Sequence, residues 1–195
     1  MERKLASFRA DGLQRLVDPD ASPVYAELVR IARALHRTGC RVMGLWPAGP
    51  SVPVPPLAVR LAVALSDVSG ASTAVVDGSL RWPSSVLADG ESSEHLKLAT
   101  HWLRPGVALV APRQPSATGS SVPQLRAMLR AAGDRFAHLV IDLTGDAEVG
   151  DHLEVVDITD GVLLVARAGQ TKEGDLLRMA AELPEGKNLG VVLVG

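Results

Sequence analysis

The chain has 195 residues, 47% hydrophobic and 22% charged, with 20 basic and 22 acidic side chains for a formal net charge of -2. That length supports one sizeable core, the apolar content excludes a disordered chain, and the near-neutral balance supplies none of the positive field on which nucleic-acid binding depends. Cys40, the single cysteine, cannot form an internal disulfide, and MERKLASFRADGLQRLV at the N-terminus has neither the apolar run of a signal peptide nor that of a membrane span, so the expectation is a cytoplasmic protein, reaching a membrane only through a partner.

In chain order, Ser22 and Pro23 suit an N-cap and a first-turn proline, and PVYAELVRIARALHR carries apolar residues at helical spacing over 23–37. RVMGLWP is a short apolar run that predicts a buried strand over 41–46. After PAGPSVPVPP, the segment LAVRLAVALSDVSG predicts a helix over 55–68, with two prolines in its first turn and Gly70 beyond its end. TAVVD at 73–77 and GVALVAP at 106–112 predict two more strands, and ESSEHLKLATHWL between them predicts a helix over 91–103.

RQPSATGSSVP is composed as a loop, QLRAMLRAAGDRF as a helix and AHLVIDL as a strand. EVGDHLEVVDITD is expected to contain a helix, followed by a strand in GVLLVARAG, a helix in KEGDLLRMAAEL and a closing strand in LGVVLVG. Strands apolar on both faces that alternate with helices predict an α/β fold in three layers, a mostly parallel sheet with helices on both faces. No internal repeat or domain boundary is visible; the expectation is one domain over 1–195, with 1–22 a flexible or peripheral segment.

The order SPVYAELVRIARAL, RVMGLWPAGP, TAVVDGSLRWP, LVIDLTG and DGVLLVARAGQTK resembles the bacterial tyrosine kinases of capsule and exopolysaccharide export, relatives of the Min-type and partition ATPases. The resemblance implies a P-loop NTPase-like domain in which the second strand ends in Asp-x-Asp-x-Arg-x-Pro. Asp77, Arg81 and Pro83 match that pattern, with Ser79 at its second acidic position, and Asp142 matches the aspartate that ends the Walker B strand.

A phosphate-binding loop works because glycines let several N–H groups converge on the phosphates, while a lysine and a Ser/Thr add charge and a magnesium ligand. In PAGPSVPVPP, Val54 stands where the lysine is expected and Pro55 and Pro56 where the paired hydroxyl residues are expected. Pro53, Pro55 and Pro56 carry no N–H at all. Val194 stands where the resemblance implies an adenine-reading asparagine, and Tyr25 is the sole tyrosine where the resemblance implies a C-terminal acceptor cluster. The reading is therefore a degenerate nucleotide site with no cofactor and no catalytic residue. The alternative is an atypical ATPase or kinase that binds ATP with magnesium through Asp77 or Asp142; a structural turn or cap residue is the competing and preferred reading of each aspartate.

Glu27, Arg30 and Arg33 form E-x-x-R-x-x-R near one helix face and resemble the motif by which those kinases assemble into rings; ion pairing within the helix is the competing reading. His95, His101, Trp102, Trp46 and Trp82 are expected to serve packing, although tryptophans at the carboxyl ends of parallel strands also mark where open α/β sheets bind ligands. Of the other catalytic templates, no GxSxG elbow, HExxH or paired-cysteine spacing occurs. The functional expectation is a non-catalytic scaffold or regulatory subunit that forms homo-oligomers and binds a protein partner, a membrane protein of polysaccharide export being one such partner.

Overall fold

The computed structural model describes Val17 and residues 23–78, 91–93, 98–112, 122–144 and 152–195. Five helices and eight strands lie within them. The helices are α1 (Pro23–Arg37), α2 (Val54–Ser69), α3 (Val122–Gly133), α4 (His152–Asp157) and α5 (Glu173–Glu182). The strands are β1 (Val42–Pro47), β2 (Thr73–Asp77), β3 (Glu91–Ser93), β4 (Leu98–Arg104), β5 (Val107–Pro112), β6 (His138–Asp142), β7 (Gly161–Arg167) and β8 (Asn188–Val194).

All eight strands form one sheet in the order β3-β4-β5-β2-β6-β1-β7-β8, parallel from β5 to β8 and antiparallel where β4 meets β5 and β3. The central strands are buried along their whole length: TAVVD of β2 and HLVID of β6 have no exposed position. Only helices on both faces can cover such strands, and two apolar clusters show that they do. One gathers α1 and α2 against Met43, Leu45, Val75, Val140 and Leu163; the other gathers α3, α4 and α5 against Trp46, Val76, Ile141 and Leu164. This is the expected three-layer α/β architecture.

α2 is apolar nearly all round because it lies between the sheet and α1. Leu61 and Leu65 are 1% and 0% exposed, each contributing roughly 2 kcal/mol of transfer free energy. The helix stops where Gly70 takes φ +67° and donates its N–H to the Ser66 carbonyl, the left-handed cap for which glycine carries no Cβ penalty. Near that end the Tyr25 hydroxyl donates to Asp67 Oδ2 at 2.5 Å, and Arg104 donates to Asp67 Oδ1 and to the Val17 carbonyl. These bonds join α1, α2, β4 and Val17, which is 2% exposed within the first cluster.

One prediction is overturned. The segment expected as a helix over 91–103 supplies strands β3 and β4, so His101 and Trp102 lie on a strand. Pro105 and Gly106, with Gly106 at φ +84°, turn the chain tightly between β4 and β5. The turn brings Leu98–Arg104 back along β5, where Ala99 and Leu103 enter one apolar cluster while Trp102 packs at a tilt against Phe136 of the other cluster, ring centroids 5.5 Å apart. Tertiary pairing overrides a helix-compatible composition, and the Pro-Gly dipeptide was the local signal for it.

Candidate functional site

The carboxyl ends of β1, β2, β6 and β7 face the same end of the molecule, where an open parallel sheet places its ligand crevice. The loop from β1 to α2 crosses this end. The Ala48 amide donates to the Val165 carbonyl at 2.8 Å, the Val52 amide to Gly49 at 3.2 Å and the Val54 amide to Val52 at 3.0 Å. Pro50, Pro53, Pro55 and Pro56 have no amide hydrogen to offer. Arg167, at the end of β7, reaches the Ser51 carbonyl at 3.4 Å.

Val54 opens α2 with 0% exposure, and Pro55 and Pro56 occupy the next two positions of its first turn. Pro53 precedes the helix with no side-chain cap. The stretch that the resemblance sets at a phosphate cradle is thus a proline-rich connector in which the Val52 and Val54 amides close on the loop itself and the Ala48 amide on β7. Its side chains fit neither a triphosphate nor its magnesium: no lysine, serine or threonine stands in the first turn of α2.

Asp77 and Asp142 do come together. They end the neighbouring strands β2 and β6 as register partners, 1% and 2% exposed. Thr144 donates both its amide, at 2.9 Å, and its hydroxyl, at 2.5 Å, to Asp142 Oδ1, an arrangement that caps the turn leaving β6. Burial pushes the Asp142 carboxyl up from 3.8 to about 6; the two Thr144 bonds oppose that rise and the charge of Asp77 adds to it. Among the described residues no three His, Cys, Asp or Glu side chains converge into a ligand set, so the two aspartates stand as a pair. Gly78 follows Asp77 so closely under β6 that a Cβ there would lie 2.6 Å from the Asp142 carbonyl oxygen.

Ser79, Arg81, Trp82, Pro83, His95 and Ser22 are outside the described residues. Val194 is the last residue of β8 and pairs with Arg167 rather than following the strand. Trp46 is inside β1, 3% exposed, and packs in the second cluster. Glu27 and Arg30 pair with each other within α1 through two bonds of 2.7 and 3.0 Å. The Arg30 hydrogen bond holds the Glu27 carboxyl below its usual range. Sequence reading missed Arg167 and Thr144; the contacts that place them at this end join residues far apart in sequence or follow from a turn.

A cleft of about 390 Å³ opens at the opposite, amino end of the sheet, lined by Arg41, Arg130, Asp134 and Asp160. Arg41 there donates to the carbonyls of Gly133 and Ala137, and Asp160 accepts the amides of Arg41 and Val42 at 2.8 Å each, so these two side chains tie β1 to its neighbours.

No family model and no curated protein matches the chain. Solved structures do. The chimerical protein CapA2B2 superposes with a TM-score of 0.69 at 16% identity, over 93% of this chain and 89% of that one. The kinase domain of Escherichia coli tyrosine kinase ETK gives 0.68 at 18% identity, over 93% and 79%. A ParA family ATPase from Chlorobium tepidum TLS gives 0.55 at 15% identity, over 78% and 73%. The chain thus has the three-layer, P-loop NTPase-like fold of bacterial tyrosine kinase domains and partition-type ATPases.

Proposed function

We propose that this chain is a kinase-like domain that performs no nucleotide chemistry and serves as a scaffold or regulatory subunit, its partners being further copies and another protein. The observation that carries the reading is the first turn of α2, where Val54, Pro55 and Pro56 replace the cation and hydroxyls that hold a nucleoside triphosphate and its magnesium. The solved kinase domains with the same fold motivate a setting in polysaccharide export and a membrane protein as partner. No helix among the described residues is long and apolar enough to cross a membrane, so membrane contact in this reading runs through that partner.

The competing reading is an atypical nucleotide-binding enzyme, favoured by one observation: two carboxylates side by side at the carboxyl ends of β2 and β6. Isothermal calorimetry separates the two. The scaffold reading predicts no heat of binding with millimolar ATP or ADP plus magnesium. Micromolar binding that disappears in Asp142→Asn would establish the enzyme reading instead.

Self-association through α1 is the second part of the proposal. Arg33 is exposed beside the Glu27–Arg30 pair, and a guanidinium on a helix face can reach a neighbour's carboxylate in two parallel bonds. Light scattering of Glu27→Ala/Arg30→Ala is expected to give a lower mass than the unaltered chain. An unchanged mass would remove α1 from the assembly.

A further inference from the structure

We infer that β8 is a self-pairing edge through which two copies of the chain join their sheets antiparallel into one. Among the described residues β8 is the last strand of the sheet, with β7 on one side and no strand on the other. The Ala168 amide donates to the Val194 carbonyl, which turns the backbone of Val194 toward β7. Backbone direction alternates along a strand, so Val192 also faces β7, while the N–H and C=O groups of Val191 and Leu193 face away from it. Those four main-chain groups form the edge.

The side chains add to it. Val191 and Leu193 are 48% and 67% exposed, whereas Val192 between them is buried in the core shared with α1 and α2. α5, the crossover helix from β7 to β8, buries Met179 and packs on β7, so the Val191–Leu193 side lies open. Edge strands are ordinarily protected by a charge, a proline or a bulge. β8 has a bulge, but only at its start, where its pairing with β7 shifts and the Asn188 side chain takes the Gly190 amide at 2.9 Å. From Gly190 to Val194 the strand is GVVLV, with no charge and no proline.

A second copy is the occupant that this run fits. With a two-fold axis at Val192, Val191 of each copy lies opposite Leu193 of the other. Both residues present their main-chain groups outward, so these are the hydrogen-bonded pairs of an antiparallel ladder, and all four groups of each copy are satisfied. The same register sets the two exposed side chains of one copy against the two of the other, apolar on apolar. Within the paired run, Gly190 to Val194, no charge meets a charge. Pairing through β8 involves neither the nucleotide-site loop nor α1.

Light scattering in the Glu27→Ala/Arg30→Ala background isolates this contact from any association through α1. The expected result is a dimer that Leu193→Lys and, separately, Val191→Pro convert to monomer with unchanged circular dichroism. Proline removes one outward N–H without touching the β7 ladder, so it reads the backbone bond. Leu177→Lys, an exposed leucine on α5, is expected to leave the dimer intact. A monomer in that background at hundreds of micromolar, a dimer that survives both β8 changes, or dissociation by Leu177→Lys alone would overturn the proposal.

Discussion

Replacing Val54 by lysine, the residue that a phosphate-binding loop carries at this position, is expected to destabilise the fold by roughly 3–5 kcal/mol and to create no nucleotide affinity. Val54 is 0% exposed in the first turn of α2, packed in the same cluster as Leu57 and Ala58. An ammonium group there would be buried at the end of a helix whose dipole already disfavours a cation. Adding Pro55→Ser should not recover binding, because the amides of Val52 and Val54 remain committed to the Gly49 and Val52 carbonyls and Pro50, Pro53 and Pro56 still lack an N–H. Urea unfolding measures the loss. A stable Val54→Lys protein that binds ATP would show that the loop is one substitution from function.

The second large effect concerns the buried carboxylate of Asp142. Its value near 6 in the folded chain lies above the 3.8 of an exposed aspartate, because burial penalises the charge. The folded state therefore holds the proton more tightly than the unfolded state. Stability from this group is complete below pH 3.8 and is lost as the pH rises through about 6. At roughly 1.4 kcal/mol per unit, the loss above pH 7 amounts to about 3 kcal/mol. Asp142→Asn keeps an oxygen for the two Thr144 bonds and removes the charge beside Asp77. It is expected to be more stable than the unaltered chain at pH 7.5 by up to about 3 kcal/mol and nearly equal to it at pH 4. Destabilisation by the asparagine that is greater at pH 7.5 than at pH 4 would mean that the carboxylate is held by favourable charge interactions instead.

Which parts of this structure could be read from sequence follows from how local their causes are. α2 was legible at both ends, since first-turn prolines and a glycine at φ +67° act within a few residues of themselves. The parallel core was legible because strands such as TAVVD and HLVID are apolar on both faces, which only a sheet covered on each side tolerates. β4 was not: LATHWLR becomes a strand through its partner β5, and the helical pattern of the same letters outweighed the Pro105–Gly106 turn.

The candidate site divides in the same way. Five missing amide hydrogens are a property of proline and could be counted directly in PAGPSVPVPP. That Asp77 and Asp142 would meet depends on the register of β2 with β6, and that Val54 would be fully buried depends on the first apolar cluster closing around α2; neither is encoded near the residue concerned. The Glu27–Arg30 pair was available as one of two readings, and the geometry within α1 supplies the ion pair but not what a neighbour would do to it.

Amide NMR shifts report on the backbone of residues 48–56 residue by residue. In a titration of the labelled protein with ATP and magnesium to several millimolar, the account predicts that the amides of Gly49, Ser51, Val52, Val54 and Leu57 do not move. Saturating shifts at those amides with micromolar affinity would contradict it.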